Sequence, residues 1–224
     1  MKLLCISTSN TKMMGENSTS TRVGHLIKNI VQQNNENISV EVLPLLEYDM
    51  KACLLCGACS NSSRCIYDEA FNRLLNKIEG VDGIFFIVPH YSTIPAKFIM
   101  IFEKLNEIIY AGWIKDPEFK AAWNNIPVAI IGHGGMVETT ENLRYYHDQL
   151  VTRVADTLRS FSFLPIGLNE EYPNGACFGL SDSSCIRTRE DAVYPDIIQD
   201  WDKIEPRIKP LVHKMITMIS EQTE

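Results

Sequence analysis

The chain lacks any apolar run approaching the roughly 18 residues that a membrane-spanning helix requires, so none of its 224 residues reads as a transmembrane segment and no membrane partner is expected. No secretory leader is expected either. The opening MKLLCIS is apolar only briefly before TSNTKMMGENSTS interrupts it, whereas a signal peptide needs a longer apolar core and a small-residue cleavage site. The expectation is a cytoplasmic protein. Clustered positive charge is missing too. Lys and Arg total 21 against 28 Asp and Glu, the net charge is −7, and no basic block appears. Nucleic acid is therefore not an expected partner, because phosphate neutralisation needs grouped Lys and Arg. No G-x-x-x-x-G-K-[ST] loop or G-x-G-x-x-G fingerprint is present, which argues against nucleoside triphosphates and a Rossmann dinucleotide site. Internal repeats and low-complexity tracts are absent as well.

What is present is an alternation of strand and helix signals. The length suits one domain, residues 1–224, and 45% hydrophobic with 22% charged residues is ordinary for a globular chain. KLLCIS (Lys2 to Ser7), ISVEVLPL (Ile38 to Leu45), GIFFIVP (Gly83 to Pro89), IPVAIIGHGG (Ile126 to Gly135) and FLPIGL (Phe163 to Leu168) read as strands. Helical spacing of apolar residues follows each one: Val23 to Val31, Phe71 to Ile78, Phe98 to Ile109, Leu143 to Phe161, and a last helix over about Trp201 to Ser220. Asp68 is placed to cap the second helix and Gly80 to end it. An irregular excursion covers about 169–200. This order predicts an α/β fold with a five-stranded parallel sheet and helices on both faces. Such sheets bind ligands beyond the carboxyl ends of their strands.

Three loops fall at that edge. After the first strand, Ser7 to Thr21 is crowded with hydroxyls and opens a helix, which suits a phosphate dianion; an ordinary helix cap would read the same way. After the third, PHYSTIPAKF (Pro89 to Phe98) offers Tyr91 as a stacking platform and neighbouring amides for a polar rim, though a lone Tyr commonly just packs on a loop. After the fourth, GHGGMVETT (Gly132 to Thr140) supplies glycines that admit a ligand close to the backbone, or simply a tight turn; His133 within it is most simply a hydrogen-bonded structural residue. Together a phosphate cradle, an aromatic platform and a glycine wall suit flavin mononucleotide (FMN).

KACLLCGACSNSSRCIYD, Lys51 to Asp68, carries four of the seven cysteines, at C-x2-C-x2-C-x5-C spacing: Cys53, Cys56, Cys59 and Cys65. In a reducing compartment a metal or redox site is the stronger reading than a disulfide framework. Four thiolates can hold one Zn²⁺ or a [4Fe–4S] cluster. Zinc sites generally use two C-x2-C pairs separated by a long loop, whereas three consecutive corners followed closely by a fourth suit a cuboidal cluster. Gly57, Ala58 and Ser60 are small enough to let the backbone approach sulfur. Cys5 reads as a buried thiol. Cys177 and Cys185, in the excursion, read as unrelated thiols or a redox pair.

FFIVPHYSTIPAKFIMIFEKL, with Pro89, Tyr91, Pro95 and Lys97, resembles the strand–P-x-Y–loop–helix segment of the flavodoxin-like NAD(P)H-dependent FMN reductases, and the likeness runs from the first strand to about Leu168. The cysteine spacing after the second strand resembles, more narrowly, the iron–sulfur flavoproteins. The resemblance implies a flavodoxin-like sheet of order 2-1-3-4-5, FMN, one [4Fe–4S] cluster on Cys53, Cys56, Cys59 and Cys65, and a homodimer or homotetramer. It places Ser9, Thr11, Asn17, Ser18, Thr19 and Ser20 at the FMN phosphate. Pro89, His90, Tyr91, Ser92 and Thr93, with Gly132, His133, Gly134 and Gly135, fall at the ring. The chain departs from the family in its first loop, where Asn10 and Thr11 stand in place of Pro-Arg, so a phosphate-binding Arg is missing there. The implied activity is electron transfer between a ferredoxin-like donor or NAD(P)H and a small-molecule acceptor. The alternatives are an NAD(P)H-dependent flavin or quinone reductase without a functional cluster, a non-enzymatic electron carrier or redox sensor, and a zinc-stapled binding protein. No acid–base residue is required of the chain.

Overall fold

A computed structural model describes residues 1–10, 17–34, 37–181, 185–186, 196–197 and 199–222. The chain runs β1 (Lys2–Ser7), α1 (Thr19–Asn34), β2 (Ser39–Pro44), α2 (Glu69–Glu79), β3 (Gly83–Pro89), α3 (Ala96–Lys115) and β4 (Pro127–Val137). It continues through α4 (Thr140–Tyr146), a π-helical turn (His147–Val151), α5 (Thr152–Ser160), β5 (Leu164–Ile166), β6 (Ala176–Leu180), β7 (Cys185–Ile186), β8 (Asp196–Ile197) and α6 (Trp201–Glu221). The main sheet is parallel, as the alternation of strands and helices predicts, and its order β2-β1-β3-β4-β5 is the one the family resemblance implies.

The central strands are apolar throughout because both their faces are covered. Every residue of β3 is buried. Side chains alternate along each strand, so Leu4, Ile6, Phe86, Val88 and Ile130 pack with α2, α3 and α5. Leu3, Cys5, Phe85, Ile87 and Ala129 pack on the other face with α1 and α6.

Two elements differ from expectation. Within the excursion read as irregular, β6 adds a sixth strand parallel to β4. β5 pairs with Pro127–Ala129 of β4, and β6 takes over from Ile131. The two are halves of one edge interrupted by residues 167–175, and each half is too short to show a period. The helix expected over Leu143 to Phe161 is continuous in direction but carries the π turn at its middle.

Candidate functional site

The carboxyl ends of β1, β3 and β4 open into a cleft, the place where sheets of this kind bind ligands. Ser9, Ser18, Thr19 and Ser20 line one end of it. Pro89, His90 and Tyr91 come from the loop after β3, and His133, Gly134 and Gly135 from β4. These three segments are those the sequence marked, and the fold brings them together.

The loops are tied to one another at the sheet edge. Thr8 donates through both its amide and its hydroxyl to the carbonyl of Ile87, at 3.0 and 3.1 Å. The His90 amide donates to the His133 carbonyl at 2.7 Å. At the start of α1 the hydroxyls are largely engaged: Ser18 Oγ donates to Thr21 Oγ1 at 2.9 Å, and Thr21 Oγ1 to Ser7 Oγ at 2.9 Å. Ser20 Oγ lies 2.8 Å from His133 Nε2. His133 is buried, stacks on Phe178 with centroids 5.1 Å apart, and is pushed down to about 4 by burial. It is therefore a neutral ring that links cradle to wall. Ser9 Oγ and Tyr91 Oη approach to 3.5 Å across the cleft.

Gly134 and Gly135 serve different needs. A β-carbon at Gly134 would clash with the Tyr146 phenol, whose oxygen accepts from the Met136 amide at 2.8 Å. At Gly135 no atom of the described residues lies within 4 Å of the missing side chain, which leaves open cleft among them. Tyr145 stands at the rim beside His90, with ring centroids 5.5 Å apart.

Other expected residues sit elsewhere. Gly132 is packed behind the strand, where a β-carbon would meet Val151 at 2.6 Å. Ser92 and Thr93 follow the platform in the left-handed region (φ 43° and 81°), a strained setting for a β-branched residue; neither lines the cleft. Asn17 is exposed and also outside it. Thr11 lies outside the described residues. Two lining residues have no local sequence signal, Leu180 at the end of β6 and Gln199 before α6; only the packing of β6 on β4 and of α6 beside α1 brings them in.

The four cysteines of the β2–α2 loop line a second cleft against α3. Cys56 is exposed and Cys53, Cys59 and Cys65 are partly buried; all four are free thiols. Burial pushes the Cys59 thiol up. Among the described residues no three His, Cys, Asp or Glu side chains converge as a one-ion site would require. The loop is held from α3. The Cys53 amide donates to Glu103 at 3.3 Å, and Lys115 Nζ donates to the Ser60 carbonyl. Both ends of the loop meet at one buried ion pair: Asp68 accepts from the Lys51 amide at 2.8 Å, and Lys104 Nζ lies 3.1 Å from Asp68 while donating to the Lys51 carbonyl. Gly57 supplies the left-handed turn before Cys59 (φ 66°). Cys5 and Cys177 are buried, and burial pushes both thiols up, Cys177 to about 12. The side chain of Cys185 lies outside the described residues.

A parallel sheet of this order, with the cleft at its carboxyl edge, defines a flavodoxin-like α/β protein. The chain belongs to the family of NADPH-dependent FMN reductases, whose model matches residues 1–178. Solved structures agree on the fold. The flavoenzyme NAD(P)H:(acceptor) oxidoreductase FerB from Paracoccus denitrificans matches with a TM-score of 0.58 at 14% identity, covering 98% of this chain and 97% of that one. An FMN-dependent NADH-azoreductase from Bacillus anthracis, solved with FMN, matches with a TM-score of 0.56 at 11% identity over 100% of both chains. RosB, solved with 8-demethyl-8-formylriboflavin-5'-phosphate, matches with a TM-score of 0.58 at 16% identity, covering 97% of this chain and 76% of that one. No curated protein matches. The chain is thus an FMN-reductase-type oxidoreductase. No helix of the described residues is long and apolar enough to cross a membrane.

Proposed function

We propose that the protein binds FMN in the cleft beyond β1, β3 and β4, takes a hydride from NAD(P)H and reduces a small planar acceptor such as a quinone or azo compound. One observation carries this reading: a hydroxyl-lined helix start, an aromatic loop and a glycine wall meet in one cleft of a chain in the FMN reductase family. Bound FMN would supply the two-electron chemistry. The chain's own residues bind and orient. The amino end of α1, with Ser18, Thr19 and Ser20, suits the phosphate. Gly135 leaves room against the backbone, and Tyr91 and His90 flank the open side. Among the described residues no Lys or Arg lines the cleft, so the phosphate would be met by helix amides and neutral side chains. The balance is simple: the acceptor gains two electrons and two protons, one proton arriving within the hydride and one from solvent. Titration of the apoprotein with FMN, followed by anaerobic NADPH and NADH oxidation with a quinone acceptor, tests the proposal. No flavin binding would sink it; flavin binding without turnover would leave an electron carrier.

A second reading concerns the cysteine loop. All four cysteines line one cleft, which supports a [4Fe–4S] cluster and a one-electron donor such as reduced ferredoxin. About four irons and four sulfides per chain in anaerobically purified or reconstituted protein would bear this out. Flavin without iron after reconstitution would leave the simple FMN reductase.

A further inference from the structure

Gln199 ends the excursion that follows β6 and lies one residue before Asp200, at the N-cap of α6, and two before its first residue, Trp201. Its side chain is only 9% exposed, lines the cleft, and donates from Nε2 to Thr19 Oγ1 at 3.1 Å. Its other polar atom, Oε1, is buried with no partner among the described residues. Side-chain amides can be turned end for end without changing their shape. Turned, Oε1 accepts from the Thr19 hydroxyl and the NH₂ becomes the unpartnered end. In either setting one polar end of a buried amide is left without a partner beside the start of α1. Native chains rarely tolerate a buried polar group of this kind without a purpose.

A purely structural strut does not account for it. The start of α6 is already docked on α1, because the Arg22 guanidinium lies over the Trp201 ring, 4.4 Å from its centroid. Ile204 and Ile208 of α6 also share a core with Val23 and Ile27 of α1. The bond to Thr19 adds little to that docking, and it commits only one end of the amide.

The surroundings say what the other end meets. Through its bond to Thr19, Gln199 stands beside the amino end of a 16-residue helix, where the backbone favours an anion. The neighbouring Ser18 and Ser20 hydroxyls are engaged with Thr21 and His133. We infer that Gln199 is a specificity-determining residue: with its NH₂ turned to the cleft it donates to the phosphate end of the ligand, so that the protein distinguishes FMN from riboflavin. This rests on the flavin reading proposed above.

The test is titration of the apoprotein with FMN and with riboflavin, followed by quenching of flavin fluorescence, for the natural protein, Gln199→Leu and Gln199→Glu. Losing one hydrogen bond to a charged group should weaken FMN binding by roughly 10- to 100-fold in Gln199→Leu, with riboflavin changed less than about twofold. Gln199→Glu keeps the shape and the link to Thr19 but faces the phosphate with like charge, so its loss of FMN should be larger. If Gln199→Leu fails to fold, Gln199→Glu decides alone. FMN affinity unchanged in the folded variants would overturn the inference. So would an equal loss for both flavins, which would mean that Gln199 maintains the cleft and does not read phosphate. A natural protein that binds neither flavin would remove the flavin reading and this inference together; one that prefers FMN, with folded variants that keep the same preference, would remove the inference alone.

Discussion

His133 and Ser20 lie 113 positions apart yet meet at 2.8 Å, and the burial that permits this sets a pH dependence. In the unfolded chain the imidazole titrates near 6.5, and in the folded chain it is pushed down to about 4. Between those values the unfolded state holds a proton that the folded state does not. Stability therefore rises with pH through this window and is lost as pH falls from 6.5 towards 4. The loss from this one group between about pH 7 and pH 5 is on the order of 2 kcal/mol. Denaturant midpoints at the two pH values should show a smaller drop for His133→Gln than for the natural protein; equal drops would assign the pH dependence to other groups. The two adjacent glycines make a second contrast. Gly134→Ala crowds Tyr146 and should cost about 1–3 kcal/mol of stability. Gly135→Val enters open cleft, so it should leave the thermal midpoint in place and weaken FMN roughly tenfold or more, about 1.4 kcal/mol. Paired thermal melts and FMN titrations check both. At this scale much of the cleft was legible in the sequence, because Ser9, Tyr91 and Gly135 sit directly after apolar runs. Gln199 was not: nothing near it marks a site, and only the return of α6 along α1 carries it there.

At the scale of elements, the cysteine loop depends on α3. Lys104 and Asp68 are almost fully buried, with side chains 3% and 2% exposed. Burial alone would raise the Asp68 carboxyl, but the Phe71 and Lys51 amides and the Lys104 ammonium outweigh it and hold the pKa below its usual value. Lys104→Met leaves that carboxylate buried without its counter-charge, held only by the two amides, and should destabilise the protein by about 3 kcal/mol. Adding Asp68→Asn should recover much of the loss, since Asn still caps α2 while carrying no charge. Chemical denaturation of the single and double variants checks the coupling; additive losses would show that the pair does not act as a unit. The sequence marked Asp68 as a helix cap, and the structure agrees, with Asp68 Oδ1 accepting from the Phe71 amide at 2.9 Å. It did not mark Lys104, which occupies an ordinary helical position and gains its partner only when α3 packs beside the loop. β6 was hidden for a related reason. Ala176–Leu180 is too short to display a period, and its strand geometry is imposed by β4.

At the scale of the molecule, the flavin-type cleft and the cysteine cleft share no lining residue among the described residues. One is built on the carboxyl ends of β1, β3 and β4; the other lies between the β2–α2 loop and α3. The parallel topology explains the separation, since each connection after a strand is free to carry its own chemistry while the sheet is fixed by its apolar core. Sites without shared partners respond to substitution independently. Cys56 is the exposed member of the cysteine set, so Cys56→Ser disturbs the fold little. The expected outcome is flavin content and NAD(P)H turnover within about twofold of the natural protein, alongside loss of any iron that the anaerobically prepared protein carries. Flavin content and iron, counted together on the same preparation, check it. If flavin binding falls in step with iron, the two clefts are coupled through α3 and the loop after β3, and the cysteines belong to the flavin site's own architecture. If flavin persists while ferredoxin-driven reduction alone disappears, the cysteine loop is an electron entry added to a reductase that is complete without it.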